Sequence, residues 1–250
     1  MRILVSNDDG VHSPGLEALV EEITSLGHVT VVAPDRERSA VGHSLTFFSP
    51  LRVRKLRENA DCIIYQSDGT PSDCILLGIY DLMPERPQLV ISGINRGANL
   101  GDDITYSGTV SAAMEGLIHG CPSFAVSQTA YEKMHWKTAA VVARRVASAI
   151  LQHGLPPKTF LNVNVPNVPL DELQGVESTT QGESIYDQRL IKREDPRGSE
   201  YYWITGAIPR GEPVPGTDFC AIVNNRVSVT PVGLNLTNKD FIEQLRHWNI

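Results

Sequence analysis

Two carboxylates side by side are the first feature of the chain that could do chemistry. Asp8 and Asp9 follow an apolar run, RILVS at residues 2–6, and precede Gly10. Adjacent carboxylates repel, by about 1 kcal/mol in water and about 4 kcal/mol where screening is weaker. A divalent cation removes that cost, although Asp pairs in loops also serve as ordinary turn formers and helix caps. Two more side-chain oxygens stand in other loops, Ser39 after the run 29–33 and Asn95 after the run 88–92. Two carboxylates, a hydroxyl and an amide make an all-oxygen set without His or Cys, which suits Mg²⁺ or Mn²⁺ better than Zn²⁺.

A second candidate lies at Tyr106-Ser107-Gly108-Thr109. Gly108 permits close approach, and the hydroxyls and free N–H groups at a new helix start form an anion site. An ordinary Ser/Thr helix cap is the plainer alternative for the same residues. A phosphate bridging this turn and a neighbouring cation accounts for both clusters at once. Of seven histidines, only His12 and His43 fall in such loops. His43 is placed to contact phosphate or assist proton transfer, with a solvated loop histidine as the bland alternative. Asp102-Asp103 is a second acidic pair, read as a solvated turn or as support behind the site. In the proposed chemistry Asp8 or Asp9 can also accept a proton from attacking water, and an aspartate nucleophile stays open.

These residues need elements to place them. The pattern predicts strands at 2–6, 29–33, 51–56, 62–66, 88–92, 123–127 and 159–165. Helices are predicted from Pro14 to Gly27 and over 72–82, 111–119 and 135–153. Alternation of this kind makes an α/β protein with a doubly wound, mostly parallel, Rossmann-like sheet. Ligands of such sheets bind at the carboxyl ends of the strands, near a switch in strand order. The expected organisation is one domain, with a core at 1–166 and an extension at 167–250. The extension is expected to hold β-like pieces at 201–205 and 219–231, a hairpin arm used in oligomerisation, and a terminal helix. Thr237 and Asp240 are the expected capping box of that helix, with Phe241, Leu245 and Trp248 on one face.

Composition narrows the class. The net charge is −7, and Arg189 to Arg193 is the longest basic cluster. Neither supplies a phosphate-tracking stripe, so a nucleic-acid polymer is disfavoured as partner. No apolar stretch approaches membrane-span length, and Met1-Arg2 runs directly into the first strand, so a cytoplasmic location without a membrane partner is expected. The cysteines, Cys62, Cys74, Cys121 and Cys220, form no C-x-x-C pair and are expected to be buried free thiols. Gly93, Gly97 and Gly101 do not have G-x-G-x-x-G spacing, and no P-loop is present, which disfavours dinucleotide enzymes and P-loop NTPases.

Five segments together resemble the SurE family of survival-protein nucleotidases. They are ILVSNDDG at 3–10, APDRERSAVGHSLT at 33–46, DGTPSDC at 68–74, SGINRGANLGDDITYSGTVSAAMEG at 92–116 and NVNVP at 162–166. The resemblance implies metal ligation by Asp8, Asp9, Ser39 and Asn95, one cation per subunit. It also implies phosphate contact by Ser107, Gly108 and Thr109, with Asn99 nearby. Ala40 stands where many members have glycine. The implied activity is a metal-dependent 5′- and 3′-nucleotidase acting on nucleoside monophosphates, in places also on short polyphosphate. Homodimers or homotetramers built partly by exchange of C-terminal segments are implied as well. A Rossmann-type glycosyltransferase and a non-catalytic nucleotide sensor are the rival readings; the chain is short for the first, and the full oxygen set argues against the second.

Overall fold

The computed structural model describes residues 1–206 and 210–248. The first half reads β1 (Arg2–Ser6), α1 (Pro14–Ile23), β2 (His28–Pro34), β3 (Val53–Glu58), β4 (Cys62–Ser67), α2 (Pro71–Leu77), β5 (Leu89–Arg96) and α3 (Gly108–Ile118). It continues with β6 (Ser123–Gln128), α4 (Trp136–His153), β7 (Thr159–Val165), β8 (Val176–Ser178), β9 (Gln188–Glu194), β10 (Glu200–Gly206), α5 (Asp218–Val223), β11 (Val227–Gly233) and α6 (Lys239–Arg246).

Nine strands form one sheet in the order β3-β4-β2-β1-β5-β6-β7-β11-β8. The six strands from β4 to β7 are mutually parallel, whereas β3 and β11 run antiparallel to their inner neighbours β4 and β7. The sheet is therefore the mostly parallel, doubly wound one expected. Strand alternation sends Ile3 and Val5 into the core under α1 and α4, and Leu4 into the core under α2. Burial on both faces explains why the middles of β1 and β2 are mostly apolar. From β1 the chain builds outward to β2 and β4, then crosses back to place β5 on the other side of β1. The gap between the carboxyl ends of β1 and β5 is the topological switch point.

Several boundaries differ from expectation for local reasons. The helix expected at 72–82 is α-helical only to Leu77 and then widens into a π-turn over Gly78–Leu82. A Cβ on Gly78 would lie 2.5 Å from the Leu4 side chain, so this glycine lets the chain press onto β1. Helix α3 starts at Gly108, earlier than the expected 111, because the Ser107 side chain caps it by accepting from the Val110 N–H. Strand β5 runs past residue 92 to Arg96 through a register shift between Ser92 and Asn95. The β-like piece expected at 219–231 is a correction: α5, capped by Thr217, takes its first part and only β11 is strand. Short apolar runs do not distinguish the two states by pattern, and the cap decides here. The terminal helix is capped by Asn238, whose side chain accepts from the Phe241 N–H, and not by Thr237.

The expected division at residue 166 shifts too. Strands β11 and β8 continue the main sheet beyond β7, so the core draws on residues after 166. The part that stands apart is the hairpin β9–β10, a separate two-stranded sheet. The four cysteines are free; Cys62, Cys74 and Cys121 are buried, and Cys220 is half-buried. Among the described residues no helix is long and apolar enough to cross a membrane.

Candidate active site

Asp8 and Asp9 follow β1 directly, so both lie at the switch point. The loop is shaped by Asn7, whose Nδ2 donates to the Gly10 carbonyl at 3.0 Å and to Ser13 Oγ at 2.7 Å. Ser13 in turn caps α1. The carboxyl oxygens of Asp8 accept from Thr109, one from its backbone N–H at 3.0 Å and the other from its hydroxyl. Gly108 makes this possible, because a Cβ there would lie 2.9 Å from Asp8 Cβ. The close approach that Gly108 allows is thus that of the Asp8 carboxylate itself.

The loop after β2 is tied to the same point. The Arg38 N–H donates to the Asp8 carbonyl at 2.7 Å. Ser39 follows, its hydroxyl donating to Glu37 Oε1 at 2.7 Å. Ala40, next in line, has φ +55°, a left-handed backbone that glycine adopts without the steric cost of a Cβ. The end of β5 closes the group: the Arg96 N–H donates to Asp9 Oδ2 at 3.0 Å. Asn95 Nδ2 donates to the Gly97 carbonyl at 2.9 Å. Among the described residues Asp9 Oδ1 and Asn95 Oδ1 have no protein donor.

Electrostatics agree with the geometry. The Asp8 carboxyl is pushed up from its ordinary value, chiefly by burial, and the two Thr109 hydrogen bonds offset only part of this. Asp9 is pushed up to about 6, by burial first and the Asp8 charge second, against the opposing Arg96 backbone and charge. The Glu37 charge raises both. A divalent cation among these oxygens reverses that direction, because its charge favours the ionised form of every carboxyl around it. Among the described residues no three His, Cys, Asp or Glu side chains cluster as a metal site. The donors here are two carboxylates with neutral oxygens, a set that fits a hard cation.

The turn before α3 splits into two functions. Both Thr109 donors are engaged by Asp8, which makes Thr109 the anchor of that carboxylate. Among the described residues the N–H groups of Ser107 and Gly108 have no protein acceptor. Asn99 belongs to a buried amide cluster. Its Nδ2 donates to Ser127 Oγ at 2.7 Å, its N–H donates to Asn164 Oδ1 at 2.9 Å, and its carbonyl accepts from Asn162 and Asn164. This fastens the 97–101 loop to the ends of β6 and β7. His43 does not face solvent alone: its Nε2 lies 2.5 Å from Glu115 Oε2. The Asp102-Asp103 pair is not a plain solvated turn. Asp102 accepts from the Ser184 N–H and Asp103 from the Tyr186 hydroxyl, which holds the chain leading into β9 against the site side.

Three residues near the centre carry no strong local signal in the sequence. Arg96 acts through its backbone, which leaves no trace in residue type. Glu37 and Glu115 have weak signals in retrospect, the first two residues before Ser39, the second the lone charge in α3. A cleft of about 370 Å³ opens beside Asp9 and is lined by Glu37, Arg96, Tyr131, Lys133 and Trp136 among others. A separate cavity of about 760 Å³ includes Pro122 and Thr159 at the amino ends of β6 and β7, the opposite end of the sheet from the carboxylates.

An α/β protein that brings two carboxylates and an unpaired helix start together at its sheet's switch point has its polar residues where doubly wound folds bind their ligands. Comparison with known proteins narrows the class. Residues 3–188 match the family model described as "Survival protein SurE", and the chain belongs to that family. It is 51% identical over 251 residues to the "5'-nucleotidase SurE" of Geobacter sulfurreducens, covering 100% of this chain and 94% of the relative. It is 50% identical to that of Geotalea daltonii, with 100% of both chains covered. The crystal structure of the SurE protein from Aquifex aeolicus superposes with a TM-score of 0.84 at 45% identity, over 98% of each chain.

Proposed function

We propose that this chain is a divalent-metal-dependent 5′-nucleotidase that releases phosphate from nucleoside monophosphates, with 3′-nucleotidase and short-polyphosphate hydrolysis at the same centre. The observation that carries the reading is the convergence of the Asp8-Asp9, Ser39 and Asn95 loops where two N–H groups at the start of α3 are left unpaired. The names of the relatives point the same way. Asp8, Asp9, Ser39 and Asn95 would hold one Mg²⁺ or Mn²⁺, which when bound polarises a phosphate oxygen and lowers the pKa of water.

The rest is work for the chain's own groups. Thr109 fixes the Asp8 carboxylate through both oxygens, so that side chain has no rotational freedom to lose on binding. The Ser107 and Gly108 N–H groups hold phosphate oxygens and stabilise charge as it develops on them. Asp9 Oδ1, free of protein donors, is the better placed of the two carboxylates to accept a proton from attacking water. The cleft beside Asp9 takes the nucleoside, with Tyr131 offering a ring to a base. The chain works in the cytoplasm, where its free thiols stay reduced, as a homodimer or homotetramer through the exposed apolar hairpin β9–β10 and α6.

Phosphate release from AMP and from p-nitrophenyl phosphate tests the reading. Asp8→Asn is expected to lower kcat by at least a hundredfold while leaving the circular-dichroism spectrum unchanged. EDTA is expected to silence the wild-type protein, and Mg²⁺ or Mn²⁺ to restore it. Full activity of the variant, or of the chelated protein, would remove the metal centre from the mechanism.

A further inference from the structure

His43 stands at one end of a chain of four polar side chains that no step above uses. Its Nε2 lies 2.5 Å from Glu115 Oε2; Glu115 Oε1 lies 2.9 Å from His119 Nε2; and His119 Nδ1 lies 2.7 Å from the Tyr80 hydroxyl. Glu115 is the buried hub, its side chain only 4% exposed, against 28% and 24% for the two imidazoles. Burial alone would raise the Glu115 carboxyl, but the bonds from His43 and His119 outweigh it and hold the carboxyl below its ordinary value. The group is therefore ionised.

An ionised carboxylate only accepts hydrogen bonds, and this places a proton on the Nε2 of each imidazole that faces it. His43 and His119 must each donate from Nε2–H. In its neutral form His119 then has a bare Nδ1, which accepts from the Tyr80 hydroxyl. His43 in its neutral form has a bare Nδ1 as well, and among the described residues that nitrogen has no protein partner. The segment around His43 is fastened on both sides. The Gly42 N–H donates to the Tyr106 carbonyl at 3.0 Å, one residue before the Ser107 turn. Farther along, the Ser44 carbonyl accepts from Thr70, and the N–H and hydroxyl of Thr46 donate to Asp73. Neither the ring nor its backbone is free to turn. A bare imidazole nitrogen cannot bind a phosphate oxygen, since both are acceptors. It can take a hydrogen bond from an O–H donor, which at this site is the attacking water or a sugar hydroxyl of the substrate.

We propose that Glu115 is a positioning residue that locks His43 in its Nε2–H tautomer, so that His43 Nδ1 accepts a hydrogen bond from an O–H group of water or substrate during hydrolysis. The proposal rests on the phosphomonoesterase reading for its kinetic arm but not for its tautomer arm.

The test combines ¹⁵N NMR of the imidazoles with kinetics. His43 signals are assigned by their loss in His43→Gln. Wild-type His43 is expected to be protonated at Nε2 and bare at Nδ1. Glu115→Leu removes the acceptor of both imidazoles and is expected to abolish that preference, with kcat at least tenfold lower in a protein whose circular dichroism matches wild type. If Glu115→Leu does not fold, Glu115→Met, closer in volume and likewise without an oxygen acceptor, is read in its place. A kcat loss shared by AMP and p-nitrophenyl phosphate assigns the donor as water; a loss confined to AMP assigns it as the sugar hydroxyl. Wild-type His43 protonated at Nδ1, or a folded variant with kcat within twofold of wild type on both substrates, overturns the proposal. A wild-type protein that releases no phosphate from either compound sinks the nucleotidase reading instead, and the tautomer measurement still decides whether Glu115 holds His43.

Discussion

A carboxylate set against a helix N-terminus is stabilised by the N–H groups that the first turn leaves unpaired, and Asp8 takes that place on α3 through Thr109. The stabilisation is incomplete. Asp8 stays above its ordinary value, and Asp9 beside it is pushed up to about 6 from 3.8. A carboxyl whose pKa is higher in the folded chain binds its proton more tightly there. Its stabilising contribution is therefore present at low pH and is lost as pH rises through about 6. In EDTA, the melting temperature of the wild-type protein is expected to fall between pH 4 and pH 6.5 more steeply than that of Asp9→Asn. For Asp9 the difference is of order 1–2 kcal/mol once solvent screening is allowed for. Adding Mg²⁺ above pH 6 should reverse it. Parallel melting curves for the two proteins would mean that Asp9 does not carry the strain. The types and order of these two residues were readable in the sequence. The partner of Asp8, 101 residues away, was not, because Thr109 there looks like any helix-start threonine.

Strand β5 shows how an element aims a side chain. It pairs regularly with β6 up to Ser92, shifts register, and resumes pairing at Asn95. An irregularity of this kind turns the following side chains and is common beside active sites. Gly93 makes it possible. Its φ is +141°, and a Cβ there would lie 2.3 Å from the Val126 carbonyl oxygen. A Cβ on Gly15 of α1 would likewise lie 2.3 Å from the Ile94 carbonyl oxygen, so the helix seats on the bulge. Gly93→Ala is expected to lower stability by at least about 2 kcal/mol, measured by urea unfolding, because backbone must move on both sides of the clash. Unchanged stability would show that β5 has slack at this point. The elements themselves were largely legible: β1, α4 and β7 follow from period, caps and flanking glycines. The bulge was not, since Gly93 in a strand pattern is compatible with several conformations. The helical state of α5 was missed because an apolar run of that length fits either period.

At the scale of the whole molecule, the hairpin β9–β10 is the part that does not account for itself. An isolated two-stranded hairpin is marginally stable in water. This one carries exposed apolar side chains on both faces, with Leu190 opposite Ile204 and Ile191 opposite Trp203. Leu190 and Ile204 are 70% and 74% exposed, and clustered exposure of this kind marks an interaction surface. For the proposed homo-oligomer, replacing both by Glu is expected to lower the mass measured by light scattering toward that of one chain; an unchanged mass would remove the hairpin from the proposed interface. The sequence by itself determined the βα alternation, the core strands and the side-chain types of Asp8, Asp9, Ser39 and Asn95, each of which carries an oxygen. Each of these is written in period, turn residues or side-chain type within a few positions. Tertiary structure alone decided that β11 joins the core sheet, that Asp8 occupies the start of α3, and that Glu115 meets His43 across 72 residues. Such pairings depend on where the packed sheet and its crossovers bring distant backbone together, and no residue's immediate neighbours carry that information.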